Sequence, residues 1–211
     1  MNPLNAYHIT IFTSQHSTLL LLLMLFSALF VVLWDDWRLS LLGWAGMSMC
    51  SGLLLLIVWP LPWALSRTIA MALEGAIMWF GAHRWPKNVH RLAPYSLTIR
   101  VPLLIIVALV IWQSYTYFSF ISIPTPMLHA VLIFLGSGFV LLTTGGDILH
   151  GTLGLLSVFN AALFILAALP VPTDWFILFT ILDLSVGLIG GMGVASHSAY
   201  VYSILRIGER R

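Results

Sequence analysis

The chain has 211 residues, of which 60% are hydrophobic and 8% charged, with a mean hydropathy of +1.01. Soluble domains carry about a quarter charged residues, so this composition excludes a soluble fold and predicts an all-α integral membrane protein. The net charge of +2 comes from a few cations beside apolar runs, which excludes nucleic-acid binding, and the single Cys50 excludes an internal disulfide and a cysteine-ligated iron-sulfur cluster.

In chain order, Met1 to His16 is a polar lead-in. It carries no lysine or arginine, and no small-residue cleavage site follows, so no cleavable signal is expected. Span one, about 17–34, is leucine-rich and stops at Asp35, Asp36 and Arg38. The second, about 39–59, has Gly43, Gly46 and Gly52, which would let another helix approach closely. Pro60 and Pro62 break the chain before span three, about 62–82, which holds Arg67 and Glu74. The longest polar connection, 83–100, carries Arg84, Lys87, Arg91 and Arg100. Span four, about 101–121, leads into Pro124-Thr125-Pro126. Spans five, about 127–144, and six, about 151–169, are joined by Gly145-Gly146-Asp147. After Pro170-Val171-Pro172 comes span seven, about 175–205, then the basic end Arg206, Arg210 and Arg211.

These spans predict a bundle of about seven transmembrane helices in a single membrane domain over 1–211, with no room for an extramembrane catalytic domain. The cations orient it. With the N-terminus outside and the C-terminus cytoplasmic, eight of the nine Lys and Arg residues fall on the cytoplasmic side, the ninth being Arg67. Six or eight spans would divide the two largest basic clusters. Trp34, Trp59, Trp63, Trp79 and Trp175 fall near span ends, where interfacial anchors belong.

Function is read from the polar groups inside the spans. An ionised carboxylate in hydrocarbon costs several kcal/mol, so Asp183 marks a working group or a buried partner. A rise of about 1.5 Å per residue places it about 12 Å deep in a core about 30 Å thick. Asn160 on span six, Glu74 on span three and Gln113 on span four fall near the same level, a pattern suited to a lateral proton path. Asn160 and Gln113 also suit interhelical hydrogen bonding, and Glu74 can pair with Arg67 two turns earlier on its face. His197 lies nearer the inner end of span seven and could link Asp183 to the cytoplasm, or simply pack. Asp147 and His150 suit a cap pair or a proton entrance. No nucleophile and base pair or metal-ligand cluster points to a membrane enzyme.

Several stretches resemble a known family. ILDLSVGLIGG on span seven is similar to the third helix of the K-type subunit of respiratory complex I, with Asp183 at the acidic position. LLSVFNAALFILAAL is similar to that subunit's second helix, through Asn160 and Ala161. ALFVVLWDDWRLSLLGW, RTIAMALEGAIMWFGAHRWPKN and GGDILHGTLGLLSVFNAAL extend the resemblance to the longer E component of hydrogenase-4-type complexes. The second carboxylate of the K-type middle helix is missing from Leu155 to Phe159, and span three lacks the lysine of the E-type relatives. The resemblance implies a three-helix K-type-like unit over 127–205 and a non-redox subunit of a complex I-like or group 4 hydrogenase-like membrane arm, translocating protons or Na+.

Under that reading the partners are other membrane-arm subunits, antiporter-like ones included, and membrane lipid. No cofactor is expected in this chain, and the place is a prokaryotic cytoplasmic (inner) membrane. The alternative, suggested by seven histidines and 13% aromatics, is a pigment- or haem-binding scaffold; only His197 sits clearly within a span, and no pair is arranged to hold haem. A stand-alone transporter would require inverted repeats around a broken helix, of which only a weak echo exists between the helices bearing Glu74 and Asp183.

Overall fold

The computed structural model describes residues 15–34, 36–83, 96–114, 123–169 and 172–208. Most of the lead-in, the loop cations Arg84, Lys87 and Arg91, and the terminal Arg210 and Arg211 lie outside the described residues. Within them the chain is all-helical, with seven helices: α1 Ser17–Leu33, α2 Trp37–Leu55, α3 Leu61–Ala82, α4 Ser96–Ser114, α5 Thr125–Thr144, α6 Ile148–Ala168 and α7 Thr173–Gly208. Four of them, α2, α5, α6 and α7, are long and apolar enough to cross a membrane. α3 has 22 residues but carries Arg67 and Glu74 in its interior.

Breaks fall where backbone chemistry requires them. The Asp36 carboxylate accepts from the Arg38 amide at 2.9 Å and opens α2, as the Asp147 carboxylate accepts from the His150 amide at 2.7 Å and opens α6. Pro60 and Pro62 start α3, and Pro124 and Pro126 start α5, at positions whose missing N–H is no loss. Ahead of Pro60 the chain leaves α2 at Leu55 rather than Trp59, through tightened turns such as Ile57 N–H to Leu54 C=O at 3.1 Å.

Six helices close into a ring. α1 packs on α2, α2 on α3, α3 on α7, α7 on α6, α6 on α5, and α5 returns to α1, while α4 lies outside against α5 and α1. The three-helix unit expected over 127–205 therefore exists as α5 to α7 but is not separate, because α7 leans on α3 as well as on α6. α3 and α7 run in the same direction. Arg67 meets Asp183, Glu74 backs onto Gly187, and Gly81 touches the backbone of Gly191.

The ring also repeats itself. α2 begins at Trp37 and α6 at Ile148, and α1 ends at Leu33 and α5 at Thr144, each pair 111 positions apart. Gly43 and Gly154 keep that spacing and do the same job. A Cβ on Gly43 would stand 2.6 Å from the Ser27 carbonyl oxygen, and one on Gly154 3.1 Å from the carbonyl oxygen of Gly138, again 111 positions on from Ser27. Glycine at these points lets α2 seat on α1 and α6 on α5. A Pro-x-Pro stretch follows in each half of the sequence, Pro60-Leu61-Pro62 and Pro170-Val171-Pro172, 110 positions apart. The bundle thus has an aspartate end, with Asp36 and Asp147, and a proline end, with Pro60 and Pro172.

Candidate functional site

Arg67 is the hub of the interior. It follows Trp63 by one turn on α3, beside the small residues Ala64 and Ala70, which leave its long side chain room to cross to α6 and α7. Its Nη2 donates to Asn160 Oδ1 at 2.6 Å and to Asp183 Oδ2, and its Nη1 lies 3.7 Å from Glu74 Oε1. Asn160 is held for this by its own helix, Nδ2 donating to the Leu156 carbonyl at 2.8 Å, so that only the amide oxygen faces the guanidinium. All four side chains are fully buried.

The group is asymmetric in charge, since one guanidinium faces two carboxyls. Asp183 takes the direct contact. Glu74 sits two turns along α3, against the Gly187 backbone; its two carboxyl oxygens and Asp183 Oδ1 accept no hydrogen bond, and Arg67 Nε and Nη1 donate none. An unsatisfied buried acceptor costs about 1–3 kcal/mol and an uncompensated buried charge more. Glu74 and Asp183 also repel each other when both are ionised. The arrangement therefore suits a site that takes up one extra positive charge, a proton on a carboxyl or a small cation between the two.

Of the residues singled out from sequence, the structure brings together Asp183, Glu74, Asn160 and Arg67. The expected Arg67 and Glu74 pair is present. Asp183, read from sequence as a working group or one with a buried partner, is tied to Arg67 across the helix interface. Gln113 is not brought in: it is exposed near the end of α4, the helix outside the ring. Nor is His197, half-buried fourteen residues further along α7 and so about 21 Å away along the axis.

Asp147 and His150 form a second polar group at the aspartate end. The His150 ring is buried, with Nδ1 2.8 Å from Asp147 Oδ2, while Nε2 lies 3.3 Å from the Trp34 carbonyl and 3.3 Å from Ser40 Oγ. Ser40 Oγ donates to the same carbonyl at 3.0 Å, so one ring ties α6 to the α1–α2 turn. Burial pushes the Asp147 carboxyl up, but the His150 ring and amide, with the Arg100 charge nearby, outweigh it and hold the carboxyl below its usual value.

Sequence reasoning missed Arg100. Expected in a polar loop, it lies inside α4, buried, with Nη1 donating to the Val32 carbonyl at 3.0 Å. There it satisfies a carbonyl of the last turn of α1, which has no basic residue of its own.

No protein-family model, curated protein or solved structure matches the chain.

Proposed function

We propose that this chain is a seven-span subunit of a prokaryotic cytoplasmic membrane, N-terminus outside and C-terminus inside, in which Arg67, Glu74, Asp183 and Asn160 hold and pass on a proton or Na+. The assembly it serves is complex I-like or group 4 hydrogenase-like: other subunits carry out the redox chemistry, antiporter-like subunits are its neighbours, and this chain is not the catalyst.

One observation carries the reading: a single guanidinium opposed to two buried carboxyls on packed helices. A purely structural pair would need one acid. A second acid, with both oxygens free of hydrogen bonds, adds a desolvation cost that one guanidinium does not fully offset, and binding a further positive charge would offset it. Asn160 supports Arg67 without charge.

The test is redox-driven ion uptake by membranes containing the whole assembly. Asp183→Asn, which keeps shape and one acceptor, is expected to slow uptake at least about tenfold with the complex still assembled in mild-detergent gels. Unchanged uptake in that variant would reduce the chain to scaffold. Copurification of the tagged chain with no redox subunit would remove it from such assemblies altogether.

A further inference from the structure

The proline end of the bundle contains a pocket of about 240 Å³ walled by Trp59, Trp63 and Phe176, with Leu166, Leu169 and Pro172 at its sides and rim. The indole of Trp59 stands edge-on to Phe176 with ring centroids 3.8 Å apart, and Trp63 stands nearly perpendicular to Phe176 at 6.0 Å. Trp59 Nε1 donates to the Ala167 carbonyl at 3.1 Å, which pins the wall to α6. Leu169 and Pro172 are exposed, so the pocket opens outward, and it has room for several waters.

Its position relative to the buried charges gives it meaning. Trp63 stands one turn before Arg67 on α3. Phe176 stands two turns before Asp183 on the same face of α7, and Leu166 is six residues past Asn160 on α6. The three helices that supply the charged group therefore also supply the pocket walls, with the guanidinium level about 6 Å and the Asp183 level about 10 Å along the axis. In the other direction the helices are shut. Gly81 meets the Gly191 backbone, Ser198 Oγ donates to the Gly81 carbonyl at 3.4 Å, and Met78 and Val194 are fully buried.

We infer that this aromatic vestibule is the mouth through which a small monovalent cation, H3O+ or Na+, reaches Glu74 and Asp183 from the proline end. The inference rests on the proposed ion-holding role of that group and adds the route and its side. A cation is the passenger because the two acids outnumber the one base and because aromatic rings, as at this mouth, hold cations rather than anions.

Infrared spectroscopy of the full chain in lipid nanodiscs tests it, with Cys50→Ala as background. The protonated-carboxyl stretch is assigned by its loss in Glu74→Gln or Asp183→Asn, and its shift after transfer to D2O reports access. A bulky maleimide on Leu166→Cys is expected to slow that shift at least about tenfold, while the same label on Ile148→Cys, exposed at the aspartate end, leaves it unchanged. Loss of the stretch on adding NaCl at constant pH, prevented by the plug, would identify Na+ as the passenger. Should Leu166→Cys not fold, Leu169→Cys at the exposed rim takes its place. Exchange unaffected by either plug, or slowed only by the label at the aspartate end, overturns the vestibule and leaves the ion-holding group standing. Absence of any protonated-carboxyl stretch, with no effect of NaCl, would instead sink the ion-holding reading on which the route depends.

Discussion

The helices α1 to α3 and α5 to α7 are built to one plan and loaded with different chemistry. Both open with a helix seated on the next through a glycine, Gly43 or Gly154, and both enter the second helix through a capping aspartate. The polar interior ignores this repetition. The first half contributes the cation and one acid, Arg67 and Glu74; the second contributes the amide and the other acid, Asn160 and Asp183. What repeats is packing geometry, and what differs is charge: the first half holds a cation with an acid, whereas the acid of the second half has no base of its own. The site exists only because α3 and α7 pack together.

The most severe way to break that division is to remove the shared cation. Arg67→Met leaves two buried acids with no base, and taking one partner from a buried ionic group costs about 3–5 kcal/mol. A large fall in thermal stability in detergent, with loss of most folded protein, is the expected result. Adding Glu74→Gln and Asp183→Asn to the same chain is expected to recover most of the loss, since no charge then remains uncompensated. Failure of the triple variant to recover would mean that Arg67 acts through its bulk rather than its charge.

A smaller effect sharpens the packing side of the comparison. Alanine at Gly43 brings a methyl against the Ser27 backbone and the side chains of Phe30 and Val31. At Gly154 the neighbours are the Leu141 and Leu142 side chains, with the Gly138 carbonyl a little further away. Overpacking of this kind costs about 1–3 kcal/mol. Both substitutions are expected to lower the melting temperature, Gly43→Ala more than Gly154→Ala because backbone yields less than a leucine side chain. Equal melting temperatures for Gly154→Ala and the parent chain would show that the second glycine does not set helix approach.

How much of this was legible without coordinates follows the same line between packing and charge. The helices were legible, because apolar runs ended by Asp36, Pro60, Pro124 and Asp147 have few alternatives. Asn160 and Asp183 could be placed at one level because α6 and α7 are joined by a short turn. The bond from Arg67 to Asp183 could not, since no spacing rule relates residues on helices so far apart in sequence. Only charge neutrality hinted at it: two acids inside the bundle called for a base, and Arg67 was the cation left among the spans. Level alone misled for Gln113, because depth says nothing about which way a helix faces. Arg100 misled through its charge, which reads as a loop until the carbonyl at the end of α1 is considered.

The smallest expected effect separates the two capping aspartates. Asp36 caps α2 through the exposed Arg38 amide, whereas Asp147 accepts from both the amide and the ring of His150, whose other nitrogen reaches the α1–α2 turn. Asparagine caps about as well as aspartate, so Asp147→Asn is expected to cost about 1 kcal/mol through the weakened charge-assisted bond to the His150 ring, and Asp36→Asn less. The pH dependence gives the sign. Because the Asp147 carboxyl is held below its usual value in the folded chain, its contribution is fully present above the unfolded carboxyl range of about pH 4 and fades as pH falls through the lower folded value. Melting curves from pH 7 down to about pH 3 should show parent and Asp147→Asn converging only at the acid end. A constant gap across that range would mean that the aspartate matters for the shape of the turn rather than for its charge, and the two halves would then be alike at their aspartate ends as well.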